Sequence, residues 1–180
     1  MTNLSNDKSD QTAKRDHIVL AATNIIATDG LTTLSVRNVA TRAGCSRGLV
    51  EHYFRNKTAL LVAAEEWANS RYLKRVSNSV GTLTGLKALD LRIRNLLPYN
   101  EVILDEWKVR ISFWHQGIII PSVSETNNRS FFEVYSAILS DITEAKELNE
   151  IVSAIPLKVT SELLLFTLIG LCTSCISDPM

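Results

Sequence analysis

The sequence has little of what marks several common classes of protein. Its 180 residues include only three Cys, four Pro and seven Gly. Three Cys are too few for a disulfide scaffold, which favours a reducing compartment such as the cytoplasm. The first residues contain no apolar run, so no secretory signal peptide is expected. The longest apolar run, 163–172, is shorter than the about 18–20 residues of a membrane span, and therefore predicts a buried helix and no membrane partner.

Catalytic and metal-binding patterns are missing as well. The sequence contains no G-x-S-x-G, no H-E-x-x-H and no Gly-rich phosphate loop, and its three His are scattered. Cys172 and Cys175 form a C-x-x-C, but at the end of an apolar helical segment, where inert core thiols are favoured over redox sensing or metal binding. The sequence therefore predicts no catalytic residue, no metal and no cofactor.

The charge is balanced overall but unevenly distributed. Nineteen Lys and Arg balance nineteen Asp and Glu. Residues 1–57 hold eight basic and five acidic side chains, whereas the remainder is acidic by three. A basic N-terminal third modestly favours a polyanionic partner such as nucleic acid.

Helical periodicity runs through the chain, and no strand-like alternation is found, so the fold class is predicted to be all-α. Glycines and N-cap residues delimit three short helices in the first 56 residues, namely one from Ala13 to Asp29, one after Ser35 and one after Ser46. Longer helices are expected at about 57–77, 86–97, 100–118, 124–143 and 156–176. The predicted organisation is a flexible tail (1–12), a three-helix head (13–56), and a helical body (57–180) that begins with a connecting helix (57–77).

The segment 36–53 has the spacing of a helix-turn-helix. Counting from Val36, apolar side chains stand at positions 4, 8, 10, 15 and 18, with a small residue at position 5 and Gly at position 9. The small Ala40 lets two helices approach, and Gly44 permits the positive φ of a tight turn. An ordinary helical hairpin would also use a Gly turn, but it has no need for the outward Arg, His and Tyr that remain. The spacing therefore predicts that the second helix enters a DNA major groove.

The outward side chains of that second helix suit contacts with DNA. Arg47 can bind guanine O6 and N7 with two hydrogen bonds, and Glu51 can accept one from a cytosine amino group. Ser46 and the free N–H groups beside it can bind a phosphate. Gly48 lets the backbone approach the duplex closely.

The stretch LSVRNVATRAGCSRGLVEHYFRNKTALL resembles the DNA-binding head of the tetracycline-repressor (TetR) family. Later features, LLPYNE with a Trp/Phe-rich helix and a late LIGL, are similar to the BetI-like branch, which contains a choline-sensing repressor. The resemblance implies a homodimer that binds double-stranded operator DNA. It also implies a set of DNA-contacting residues: Ser35, Arg37, Ser46, Arg47, Gly48, His52, Tyr53 and Lys57.

Aromatic residues of the body suggest a ligand pocket. Trp107 and Trp114 are seven residues apart and share a helix face. With Phe131, Phe132 and Tyr135, and with His115 beside them, they could line a box for a cationic or flat ligand, although aromatic stripes in helical bundles commonly form core. The overall expectation is a repressor released from DNA by an unidentified small molecule. An activator, a regulator without a ligand, and an all-α binding protein or enzyme with a vestigial head are the alternatives.

Overall fold

The structure is a computed structural model, and it describes residues 3–152 and 154–177. Within those ranges the regular structure is entirely helical, which confirms the predicted all-α class. The α-helices are α1 (Asn3–Asp29), α2 (Val36–Arg42), α3 (Arg47–Tyr53), α4 (Lys57–Val80), α5 (Gly85–Leu96), α6 (Glu101–Gly117), α7 (Pro121–Glu147) and α8 (Leu157–Ser177), and a short 3-10 turn, Leu31–Thr33, joins α1 to α2.

The short helices begin and end where local chemistry predicted. Gly30, at φ 82°, follows the last residue of α1. The Oγ of Ser35 accepts a hydrogen bond from the Asn38 N–H at 3.1 Å, and the Oγ of Ser46 accepts one from the Leu49 N–H at 3.1 Å. Each serine thereby satisfies a backbone donor that has no partner inside its own helix. Gly44, at φ 61°, makes the turn between α2 and α3.

Helices extend further than the sequence patterns suggested at three places. α1 begins at Asn3, so the predicted tail contains helix, while its flexibility stays a prediction. α4 continues to Val80, which reduces the Ser/Gly/Thr linker to residues 81–84. The sequence predicts a break at Pro121, but this residue is the first of α7. Proline is tolerated there because the backbone N–H of the first helical residue has no partner within the helix.

Two apolar clusters form the interior. The first lies in the head, where Ile25, Val39, Val50 and Phe54 pack with Leu60 near the start of α4. Two further residues of this cluster, Val109 and Phe113, come from α6 of the body. The second cluster lies in the body and takes Tyr72 and Val76 from the other half of α4. The connecting helix therefore contributes to both interiors, and α6 ties the head to the body.

α8 differs from the buried helix that its apolar run predicted. It is 21 residues long with a mean hydropathy of 1.8 over its most apolar window, enough by length and composition alone to cross a bilayer, yet only 22% of that window is buried. Leu165, Leu168 and Cys172 face the body cluster. Leu163 and Phe166 are each 57% exposed. The single chain thus leaves an apolar stripe uncovered along α8.

Candidate nucleic-acid interface and body cavity

Helices α2 and α3 pack against each other and against α1. Val39 and Val50 are completely buried between them. The Cys45 N–H donates to the Ala40 carbonyl at 3.0 Å across the turn. A ring nitrogen of His17, on α1, lies 2.9 Å from the Ala43 carbonyl oxygen at the end of α2. The orientation of α3 is therefore set by apolar packing on one face and by polar contacts at the turn.

The opposite face of the pair carries most of the predicted DNA-contacting side chains. Arg37, Ser46, Arg47, Gly48, His52 and Lys57 are exposed, and Ser35 is half-buried at the start of α2. Tyr53 differs, because its ring is partly buried against the head cluster and meets the His52 ring edge-on at 5.0 Å. Tyr53 is therefore less accessible to DNA than the other predicted contacts of α3.

Arg47 and Glu51 bind each other in the free protein. The Nε of Arg47 lies 2.7 Å from a carboxylate oxygen of Glu51, one turn along α3. Both side chains are well exposed, so water and salt screen the pair and its net contribution to stability is small. The ion pair does, however, neutralise the arginine that the sequence assigns to a base edge.

Lys57, at the start of α4, makes a hydrogen bond within the head. Its Nζ donates to the Leu31 carbonyl oxygen at 2.6 Å, across 26 residues of sequence. An ammonium group has three N–H donors, so this contact leaves others for a phosphate oxygen. The hydrogen bond also holds the positive charge of Lys57 close to the turn that precedes Ser35.

Gly48 has no structural reason to be glycine. A Cβ atom added there would meet nothing within 4 Å, and its φ is not in the left-handed region. Glycine within a helix costs about 0.5–1 kcal/mol relative to alanine. Since nothing inside the protein requires it, Gly48 is best explained by something that approaches the helix from outside.

The aromatic residues predicted to line a ligand pocket are only partly brought together. Trp107 and Trp114 meet edge-on, with ring centroids 5.9 Å apart, and line a cavity of about 30 Å³ between α4, α6, α7 and α8. Phe131 lines it as well. Tyr135 instead packs among the body residues with its ring 6.2 Å from that of Phe132, and His115 is exposed. The cavity therefore contains two of the four predicted ligand-binding residues.

A buried ion pair borders this cavity. Arg110 is 8% exposed, and its guanidinium lies 5.1 Å from the centre of the Trp107 ring. Its Nε is 3.5 Å from a carboxylate oxygen of Glu65, which is 1% exposed and forms no hydrogen bond within the described residues. Burial raises the pKa of the Glu65 carboxyl above its ordinary value, and the adjacent Arg110 opposes that shift.

A second group of charged side chains between α4 and α6 is much better compensated by hydrogen bonds. Glu106 is 2% exposed, and its carboxylate accepts hydrogen bonds from Arg75 at 2.8 and 2.7 Å and from Arg71 at 3.2 Å. Charge-assisted hydrogen bonds of this kind compensate for the loss of hydration. Of the two buried carboxylates on this helix pair, Glu65 is therefore the poorly compensated one.

Residues 18–64, which include α2, the turn, α3 and the exposed face just described, match the model of the family described as bacterial regulatory proteins, tetR family. The head of the chain is that of the TetR family. The chain is a DNA-binding regulator of transcription.

Relatives and solved structures agree with this assignment. The chain is 26% identical over 135 residues to the HTH-type transcriptional regulator BetI of Escherichia coli, covering 73% of this chain and 69% of that protein. A transcriptional regulator from Rhodococcus sp. Rha1 superposes with a TM-score of 0.79 at 27% identity, covering 91% of this chain and 84% of the other. A protein from Saccharomonospora viridis, solved in complex with choline, superposes with a TM-score of 0.85 at 19% identity, covering 93% and 86%. Membership of a BetI-like branch stays a prediction at this level of identity.

Sequence reasoning about this TetR-family chain missed the polar part of the cavity. Arg110, Asn69 and Ser130 line it, and none was singled out. The available signal was the position of Glu106 and Arg110 on the same face of α6 as the apolar Val109 and Phe113, since charged residues are almost never buried without a partner.

The two thiols of the C-x-x-C differ in exposure, because Cys172 is buried whereas Cys175 is half-buried. Cys172 is completely buried, and burial raises the pKa of its thiol to about 12. A thiol that stays protonated at neutral pH is a poor nucleophile and a poor metal ligand. Within the described residues, no group of three or more His, Cys, Asp and Glu is arranged to hold a metal ion.

Proposed function

We propose that this TetR-family regulator is a cytoplasmic repressor that binds a two-fold-related operator as a homodimer and leaves it when a small molecule occupies the body. The observation that carries the DNA-binding half is the exposed face of α3. Arg47, Gly48 and His52 lie together there, on a helix fixed to the head from behind. The predicted contacts Ser35, Arg37 and Lys57 lie beside α3 along the exposed surface of the head.

Dimerisation is required by the geometry of duplex DNA. Two recognition helices must reach major grooves about 34–36 Å apart, which a single head cannot do. The exposed apolar stripe of α8 supplies a surface that a second copy would bury, together with α7 packed beside it, as a four-helix interface. A contiguous apolar surface of this kind on a soluble chain is typical of an interaction site.

The ligand-responsive half is supported by the connection between cavity and head. The cavity is bordered by α6, whose residues Val109 and Phe113 also pack in the head cluster. A ligand that displaced α6 or α4 would move the head, and a ligand favours whichever state binds it better. Solved structures of similar fold contain choline and triclosan, which supports a body that accommodates small molecules.

A titration of labelled DNA tests the DNA-binding half. The fragment should come from upstream of the chain's own gene, with a scrambled fragment of equal length as the control. We expect a dimer to bind the first fragment more tightly, with an affinity that falls steeply as salt is raised. Folded protein that binds both fragments equally at moderate salt would contradict the proposal.

The expression of a reporter gene distinguishes a ligand-responsive repressor from two alternatives, an activator and a regulator without a ligand. A repressor gives higher expression when its gene is deleted, whereas an activator gives lower expression. A regulator without a ligand would repress but would not respond to any compound that binds the body. A binding protein or enzyme with a vestigial head is disfavoured, because it has no use for the exposed arginine, histidine and lysine set.

A further inference from the structure

The polar groups that line the body cavity are all able to donate hydrogen bonds. Arg110, Asn69 and Ser130 supply a guanidinium, an amide and a hydroxyl from α6, α4 and α7. The one contact of this kind that Arg110 makes among the described residues is the long ion pair with Glu65, at 3.5 Å. Arg110 is the only charged residue that lines the cavity among those described, and a guanidinium cannot accept a hydrogen bond.

The other walls are apolar. They are formed by the indoles of Trp107 and Trp114, the Phe131 ring, and the side chains of Leu165 and Ile169. The site thus combines a polar end of donors with an apolar surround, which is the usual composition of a small-molecule site. Within this surround, the position over the Trp107 ring that a cationic ligand would take is already occupied by the Arg110 guanidinium.

We infer that the ligand of this cavity is a small apolar molecule with one anionic group, such as a carboxylate, bound by Arg110, Asn69 and Ser130. The inference rests on the proposed function, in which the body of the regulator binds a ligand, and it names the chemical class. A carboxylate matches three convergent donors, and a planar guanidinium binds it with two parallel hydrogen bonds. A quaternary ammonium offers no acceptor to any of the three.

Glu65 is the group that competes with such a ligand. One of its carboxylate oxygens lies 3.5 Å from the Arg110 Nε, which is long for a hydrogen bond, so the pair is poorly aligned. An anionic ligand gives Arg110 the shorter, better aligned contacts that Glu65 does not provide. Since Glu65 lies on α4 and Arg110 on α6, transfer of Arg110 to the ligand removes a link between the connecting helix and the cavity helix.

The cavity must enlarge when the ligand enters. A volume of about 30 Å³ has room for one or two water molecules and for no organic anion. In the single chain Phe131 is the wall that can move, because it is 36% exposed and its ring centroid lies 5.9 Å from that of Phe166, a residue of the α8 stripe that the proposed dimer would bury. Outward rotation of Phe131 opens the apolar side while leaving the three donors in place.

Three probes of matched shape test the chemical class: 3-phenylpropionate, 3-phenylpropanol and 3-phenylpropylamine, with choline as a second cation. Binding is measured by tryptophan fluorescence and calorimetry on the full-length protein, and release of labelled operator DNA is measured separately. We expect the anion to bind about tenfold or more tightly than the alcohol and both cations, since a charge-assisted pair is formed only with it.

Two variants should change the affinity for the anion in opposite directions. Arg110→Gln should weaken it about tenfold or more, whereas Glu65→Gln should strengthen it several-fold because the competing carboxylate is removed. Arg71→Gln is the matched control, since Arg71 lies on the same helix pair but outside the cavity and should leave the affinity unchanged. The Glu65 variant keeps the test decisive if Arg110→Gln fails to fold.

The outcomes separate this inference from the proposed function. Preference for the amine or for choline, with binding weakened by Glu65→Gln, would overturn the anionic class and leave a ligand-responsive repressor. Absence of binding by 3-phenylpropionate, while some other compound releases the DNA, would do the same. Failure of every compound to release operator DNA would instead count against the proposed function.

Discussion

The Arg47 guanidinium and the Glu51 carboxylate form an ion pair on the face of α3 that is directed away from the protein, with 2.7 Å between Nε and Oε1. The sequence had assigned these two side chains to separate bases. The structure shows that in the free protein each neutralises the other. Binding to a guanine therefore requires that Arg47 exchange Glu51 for the base, unless both reach DNA together.

Replacing Glu51 by Gln should raise the affinity for DNA. The change frees Arg47 and removes a negative charge that duplex phosphates repel, so both specific and non-specific binding should tighten. Fluorescence anisotropy with operator and scrambled fragments measures both. Glu66→Gln, an exposed change on α4, is the control for net charge. Weaker operator binding with relaxed preference at one base pair would show that Glu51 itself contacts a cytosine.

Arg47→Ala and Lys57→Ala should both weaken DNA binding, but they should change its sequence preference and salt dependence differently. Loss of a base contact by Arg47 should cost about 1–3 kcal/mol and relax preference at one position. Loss of a phosphate contact by Lys57 should weaken binding to all sequences alike. It should also reduce the slope of log affinity against log salt concentration by about one. Titrations against operator variants at several salt concentrations measure both effects. A change of preference in Lys57→Ala alone would reverse the assignment.

A thermal melt must accompany the Lys57 variant. The Lys57 ammonium also donates to the Leu31 carbonyl, so its removal affects the turn before α2 as well as DNA binding. Lys57→Arg keeps the charge and the ability to donate, and it should retain most of the affinity if the contact is with phosphate.

Gly48→Ala should stabilise the protein and weaken DNA binding. The added Cβ meets nothing in the chain, and alanine is favoured in a helix by about 0.5–1 kcal/mol. In the complex the same methyl group would lie between the α3 backbone and the DNA. Chemical denaturation and operator titration measure the two effects. Gly44→Ala is the contrast, because a φ of 61° makes that change destabilising. Unchanged operator affinity in Gly48→Ala would contradict the expectation that DNA approaches the α3 backbone closely at this position.

The stability of the protein should depend on the protonation of Glu65. Because burial raises its pKa in the folded state, the folded protein binds a proton that the unfolded chain releases at about pH 4.5. The stabilisation of the protonated form is complete below that pH and is lost as pH rises through the raised pKa. The charged groups facing Glu65 are Arg110 and Glu106, the latter paired with Arg71 and Arg75.

Denaturation of Glu65→Gln at several pH values tests this dependence. The free energy of unfolding of the unmodified protein, relative to Glu65→Gln, should fall as pH rises above about 4.5. A difference that stays constant with pH would mean that Glu65 ionises as it does in water.

Leu163→Glu should convert the dimer to a monomer. Leu163 is 57% exposed on the apolar stripe of α8, and a buried, unpaired carboxylate at an interface is strongly unfavourable. Light scattering gives the mass, and operator binding should be lost with the dimer. Leu73→Glu, on an exposed leucine of α4, is the matched control. A dimer that survives the Leu163 change would place the interface elsewhere.

Much of the head could be predicted from sequence because its determinants are local. Ser35 and Ser46 are N-caps, Gly30 and Gly44 adopt positive φ, and the apolar spacing of α2 and α3 places Val39 and Val50 inside. Each of these depends on residues within a few positions of one another. The Arg47–Glu51 pair also has the i,i+4 spacing that favours an ion pair on a helix, although its consequence for DNA binding becomes clear only when both are seen on the outward face.

The body cavity depended on the tertiary structure. Its donors come from residues 69, 110 and 130 on three different helices, and no local pattern brings such positions together. The same reason explains why only two of the four predicted ligand-binding residues line this cavity. Trp107 and Trp114 share a face because they are seven residues apart, whereas His115 is rotated by about 100° from Trp114 and becomes exposed. Tyr135 lies on α7, and its direction is set by how that helix packs against its neighbours.

The sequence by itself determined the helical class, the DNA-binding head and the caps and turns around α2 and α3, since periodicity, capping and turn chemistry act over distances of a few residues. Only the tertiary structure decided which charges are buried, which donors meet in the cavity and which face of α8 stays uncovered. The hydrogen bond from Lys57 to Leu31 spans 26 positions, and the Glu65–Arg110 pair spans two helices. Such contacts follow from how helices pack, and the packing is set by the whole apolar surface of the chain at once.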